Sequence, residues 1–94
     1  MPILHIEHPV PDFERWKQAF DNDPVGRERS GVVRYQILRS VYDPNFVTID
    51  LEFGRIEEAK ALLAAMREVW RGPGSRVVRD PQARILDVVE TKQY

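Results

Sequence analysis

FVTIDLEF, residues 46–53, decides the fold. Val47, Ile49, Leu51 and Phe53 alternate with Thr48, Asp50 and Glu52. A period of two sends successive side chains to opposite faces, so this run predicts a strand with one apolar and one polar face. Just upstream, Tyr42-Asp43-Pro44-Asn45 is a turn signal. Before it, Val32 to Val41 is rich in β-branched and aromatic residues. The two runs predict a hairpin. The orientation of its first strand stays open: either Arg34 and Gln36, or Tyr35, Ile37 and Arg39, share a face with Asp50. That strand is apolar on both sides, which asks for at least partial cover on both faces.

Downstream, Gly54 breaks the strand. Glu57 and Glu58 then suit the start of a helix, whose dipole favours acidic residues there. Ile56, Ala59, Leu62, Leu63, Met66, Val69 and Trp70 recur at helical spacing. Gly72-Pro73-Gly74 ends that helix. Val77 and Val78 suggest a short extended piece, and a last strand follows over Ala83 to Thr91. Upstream of the hairpin, Ile3 to Glu7 reads as a strand stopped by Pro9 and Pro11. Asp12 is a good N-cap. Phe13, Trp16 and Phe20 form the apolar stripe of a first helix that Asn22-Asp23-Pro24 ends. Val25 to Gly31 is a polar loop.

The order is strand, helix, strand, strand, helix, strand. It predicts a ferredoxin-like α+β domain over residues 1–94, with one antiparallel four-stranded sheet and both helices on one face. Leu4, Ile6, Val47, Ile49, Leu51 and Phe53 should meet Phe13, Trp16, Phe20, Leu63, Met66 and Trp70. His5, Glu7, Thr48, Asp50 and Glu52 should line the other face.

Bulk properties narrow the function. The chain has 94 residues, 43% hydrophobic and 31% charged, with a net charge of -1. That balance offers no basic field for nucleic acid. Arg27, Arg29 and Arg34 cluster, but Glu28, Asp21 and Asp23 dilute them, and the region reads as a solvated loop. There is no Cys, which removes disulfides and thiolate chemistry and fits a cytoplasmic protein. No stretch approaches the roughly 20 apolar residues of a membrane helix. The start lacks a basic segment followed by an apolar run, so no signal peptide is expected. A domain this small buries a modest share of its surface, and self-association is the expected reinforcement.

His5 and His8 flank Glu7 and first suggest a metal or acid–base site. They lie an odd number of residues apart, so an intact strand aims them at opposite faces. No shared metal site follows. His5 and Glu7 share a face, about 7 Å apart along the strand. If the first and third strands are neighbours, Asp50 or Glu52 can reach His5. Such a pair orients the imidazole as a general base, or serves only as a structural ion pair inside a dimer. Trp16, Phe20, Tyr35 and Trp70 line a pocket between helices and sheet, or are simply core. No nucleophile, P-loop or dinucleotide motif is visible.

HPVPDFERWKQAFD, the hairpin with DPN at its tip, the strand ending in LEF and the helix EEAKALLAAMREVW together resemble the dimeric α+β barrel superfamily. The V-x-D-F-x-x-W-K-x-x-F run, Val10 to Phe20, is its most specific part. The likeness extends to small cyclase-like and antibiotic-biosynthesis-monooxygenase-like proteins. It implies a homodimer whose sheets face each other in a barrel. It also implies a small aromatic or polyketide-like ligand, handled without a cofactor. Haem-degrading members carry their ligating His on a helix, whereas both histidines here precede the first helix. In the resulting expectation His5 is the base, Asp50 or Glu52 its orienting carboxylate, and Arg34 the anion stabiliser. Trp16, Tyr35, Phe20 and Trp70 form the pocket wall. The competing expectation is a non-catalytic ligand-binding or structural homodimer.

Overall fold

The computed structural model describes residues 1–94, apart from the side chain of residue 73. Its elements are β1 (Pro2–Pro9), α1 (Phe13–Asp21), β2 (Val32–Arg39), β3 (Phe46–Phe53), α2 (Ile56–Arg71) and β4 (Gln82–Asp87), with a short 3-10 turn at Pro73–Arg76 before β4. The sheet runs β2-β3-β1-β4, all antiparallel, which is the ferredoxin-like order.

β3 and β1 are the central pair. Leu4 lies opposite Leu51 and Ile6 opposite Ile49, so both strands send their apolar sets to one side. Leu4, Ile6, Val47, Ile49, Leu51 and Phe53 are each no more than 1% exposed. Trp16, Phe20, Ala59, Leu62 and Leu63 cover them from the helix layer, with Phe13, Met66 and Trp70 packed at the margin. The burial of these side chains, each worth ~1.5–3 kcal/mol, is the main force holding the layers together.

α1 begins as expected at Asp12, whose extended backbone lets its carboxylate accept from the Glu14 amide at 3.0 Å. α2 comes close to the backbones of β1, β3 and β4, whereas α1 has no comparably close approach to any element. Its buried Trp16 and Phe20 join it to the core.

Four sequence expectations are corrected. β1 runs on to Pro9, because a proline at a strand end gives up no ladder bond; its carbonyl still accepts from the Arg79 amide at 3.2 Å. β2 stops at Arg39 because the Ser40 hydroxyl accepts from the amides of Tyr42 and Asp43, both at 3.2 Å, and bends the chain early. β4 stops at Asp87, which faces Pro2; β1 offers no further partner beyond it. Val77 and Val78 form no strand, and Val78 instead plugs the core.

The open question of β2 is settled by a bulge between Val32 and Arg34. One extra residue shifts the parity of the strand. Tyr35, Ile37 and Arg39 therefore point to the helix side, and Arg34, Gln36 and Leu38 to the open side.

Candidate functional site

The expected site residues fall on two faces of one sheet. His5, Asp50, Glu52 and Arg34 stand on the open face. Trp16, Phe20 and Trp70 stand on the helix side, with Tyr35 at its edge. The sheet lies between the two groups, so no single ligand touches His5 and Trp16 within one chain.

On the open face His5 is opposite Asp50 on β3 and Arg84 on β4. Its Nδ1 lies 2.7 Å from Asp50 Oδ1 and its Nε2 lies 3.2 Å from Glu7 Oε1. Ionised carboxylates only accept, so donation to both at once requires the imidazolium; the neutral ring donates to one. Arg34 donates to Glu52 through Nε and Nη2. Glu52 therefore serves Arg34, and Asp50 is the partner of His5. A trough of about 600 Å³ lies over Asp50, Glu52, Arg34 and Gln36, walled by Met1, Val88 and Thr91. Among the described residues, no three His, Cys, Asp or Glu side chains gather as metal ligands.

The helix side is aromatic. Trp16 contacts Phe20 at 5.3 Å and Phe13 at 5.8 Å between ring centroids, and Phe20 meets Tyr35 edge-on at 5.2 Å. These spacings are those of favourable aromatic pairs. A cavity of about 70 Å³ sits among Trp16, Phe20, Leu51, Leu62, Met66 and Trp70.

His8 occupies this side too. It is buried, with its ring edge-on to Trp16 at 5.7 Å and its Nδ1 3.2 Å from the Pro9 carbonyl. Burial lowers its pKa from the ordinary value, against a smaller opposing pull from the Pro9 hydrogen bond. His5 and His8 thus sit on opposite faces, as strand parity requires.

Arg27 departs from the solvated loop expected of its arginine cluster, its side chain being only 14% exposed. Its guanidinium lies 3.8 Å over the Phe20 ring and 5.1 Å from the Tyr35 ring. Its Nη1 donates to the Phe20 carbonyl at 2.7 Å and lies 3.4 Å from Asp23. It alone among the charged residues lines the helix-side cavity, and it also borders an outer groove of about 550 Å³ with Asp23, Glu28 and Arg34. The cluster with Arg29 and Arg34 marked it as basic, but the acidic residues around it hid the stacking on Phe20.

The fold is that of the antibiotic-biosynthesis-monooxygenase-like proteins. SnoaB, a cofactor-independent oxygenase from Streptomyces nogalater, matches with a TM-score of 0.77 at 14% identity, over 96% of this chain and 94% of its own. Protein SO0527 from Shewanella oneidensis matches at 0.72 and 17% identity, over 90% and 87%. An antibiotic biosynthesis monooxygenase matches at 0.70 and 9% identity, over 96% and 100%. No protein-family model matches the chain, and no curated protein does. At these identities the monooxygenase-like likeness establishes the fold alone. No helix among the described residues is long and apolar enough to cross a membrane.

Proposed function

We propose that the chain is a cytoplasmic, small-molecule-handling homodimer that takes an aromatic compound on the helix side of its sheet. It would act there as a monooxygenase-like enzyme, the substrate's own conjugated anion supplying the electrons as one oxygen atom of O2 enters the product and the other leaves as water, or as a cyclase-like enzyme that uses no oxygen. The observation that carries this reading is the apolar cavity walled by Trp16, Phe20, Met66 and Trp70. SnoaB, named as a cofactor-independent oxygenase, shares the fold. At about 70 Å³ the cavity is too small for an aromatic ligand as it stands; ligand pockets usually reach ~300 Å³ or more. α1 would therefore swing outward on entry. It has nine residues, and its backbone approaches the sheet less closely than that of α2 does. The open face, with Leu38, Leu86 and Val88 each more than 40% exposed, would meet a second copy. Sedimentation should show a dimer. Trp16→Ala should abolish the thermal stabilisation given by an aromatic ligand. Stabilisation that survives Trp16→Ala in a folded variant removes this reading.

A second reading rests on the 2.7 Å contact of His5 with Asp50 beside the 600 Å³ trough. There the reaction would run on the open face, with His5 as base, Asp50 its orienting carboxylate and Arg34, held by Glu52, the anion stabiliser. His5→Ala would then abolish turnover and leave helix-side binding intact. If an aromatic ligand binds and neither oxygen uptake nor conversion accompanies it, the protein is a ligand-binding module.

A further inference from the structure

We propose that Arg27 is the specificity-determining residue of the helix-side pocket, and that it selects an aromatic carboxylate. This rests on reading that cavity as the ligand pocket. Several observations converge on Arg27. Its side chain is only 14% exposed, and it is the single charged residue bordering an otherwise apolar cavity. It also borders the outer groove, so one side chain stands where a ligand would pass from solvent to interior. The Phe20 ring beneath it fixes the plane of the guanidinium. The Phe20 carbonyl and Asp23 occupy Nη1 alone. Nε and Nη2 have no hydrogen-bond partner among the described residues. No side-chain polar atom among those residues is both fully buried and unpartnered, so these two groups are not completely sealed.

Nε and Nη2 form one edge of the guanidinium fork, and that edge matches the two oxygens of a carboxylate. A lysine could not present it. Asp23 holds the arginine in place from the other edge. Its backbone is in the left-handed region, at φ 52°, and its carboxylate accepts from the Arg27 amide at 2.9 Å. At 3.4 Å its contact with Nη1 is an ion pair longer than a good hydrogen bond, and it leaves the Nε–Nη2 edge untouched. A planar ring lodged against Trp16 and Trp70 with its carboxylate at Arg27 would satisfy both ends of the site.

The test uses 1-naphthoate and its neutral counterpart 1-naphthalenemethanol as probes, with the full-length protein, read by titration calorimetry. The wild type should bind the naphthoate about tenfold or more tightly than the alcohol, the range that charge-assisted hydrogen bonds give. Arg27→Gln should erase that preference, weakening the naphthoate far more than the alcohol. Arg27→Lys should restore only part of it, because a point charge replaces the fork. Equal affinities for the two probes in the wild type overturn the role of Arg27 and leave the pocket standing. A preference unchanged in a folded Arg27→Gln protein does the same. Binding of neither probe overturns the pocket reading along with it. The wild-type comparison needs no variant, so poor folding of Arg27→Gln cannot shield the proposal.

Discussion

The two faces of this sheet are made by the same strands and have opposite chemistry. On the helix side the central strands present sealed apolar side chains, with His8 the one polar exception. On the open side His5 and Asp50 remain 22% and 26% exposed and bond to each other. Hydrophobic burial fixes the first face, and its partners are supplied by the chain itself. Ion pairs furnish the second, and nothing in one chain covers its apolar residues. The difference separates what stabilises the protomer from what is left for a second copy. It also separates the aromatic wall from the acid–base pair.

Substitutions should make that contrast measurable. Phe53→Ala removes a fully buried ring and should cost about 3–5 kcal/mol in urea unfolding. A loss under ~1 kcal/mol would mean the helix-side core is much looser than its burial implies. His8 is the one titratable group sealed on that side. Its pKa is depressed on folding, so the unfolded chain takes up a proton more readily than the folded one. The stability it contributes is complete above the ordinary His value of ~6.5 and is lost as pH falls through the lower folded value. The loss is at most about 1.4 kcal/mol per pH unit for one proton. The melting temperature between pH 8 and pH 5 should therefore fall less in His8→Leu than in the wild type. An identical pH dependence in the two proteins would remove His8 from the account.

The open face should respond differently. His5→Ala breaks two half-exposed contacts and should lower protomer stability by only ~1 kcal/mol. Its larger effect should be on self-association, measured by sedimentation as a weaker dimer. Smallest of all, Arg34→Gln removes one partner of a pair whose arginine is 75% exposed, and should change protomer stability by no more than about 0.5 kcal/mol. A large unfolding effect from either open-face variant would blur the contrast between the faces.

Much of this was legible in the sequence. The alternation in FVTIDLEF and the stripes of both helices fixed the element order, because the two periods are read directly from residue spacing. The core of Leu4, Ile6, Ile49, Leu51 and Phe53 followed from the same parity. His5 with Asp50 required only that β1 and β3 be neighbours. The orientation of β2 was hidden because it turns on one inserted residue, Val33, whose bulge leaves no mark in the hydrophobic pattern. Parity alone puts His5 and the aromatic wall on opposite sides of the sheet, which separates the base from the pocket wall expected beside it. Arg27 was hidden for another reason. Its meaning comes from a stacked ring and a backbone carbonyl of α1, and neither is visible in a charged loop. The early ends of β2 and β4 depend on a hydroxyl-bonded turn and on where β1 begins.

The most direct test is amide and indole chemical-shift mapping of the isotope-labelled protein titrated with 1-naphthoate. The account predicts shifts concentrated at Trp16, Phe20, Arg27, Met66 and Trp70, with His5, Asp50 and Glu52 unchanged. Shifts concentrated at His5, Asp50 and Glu52, with the two indoles silent, would contradict it and move the ligand to the open face.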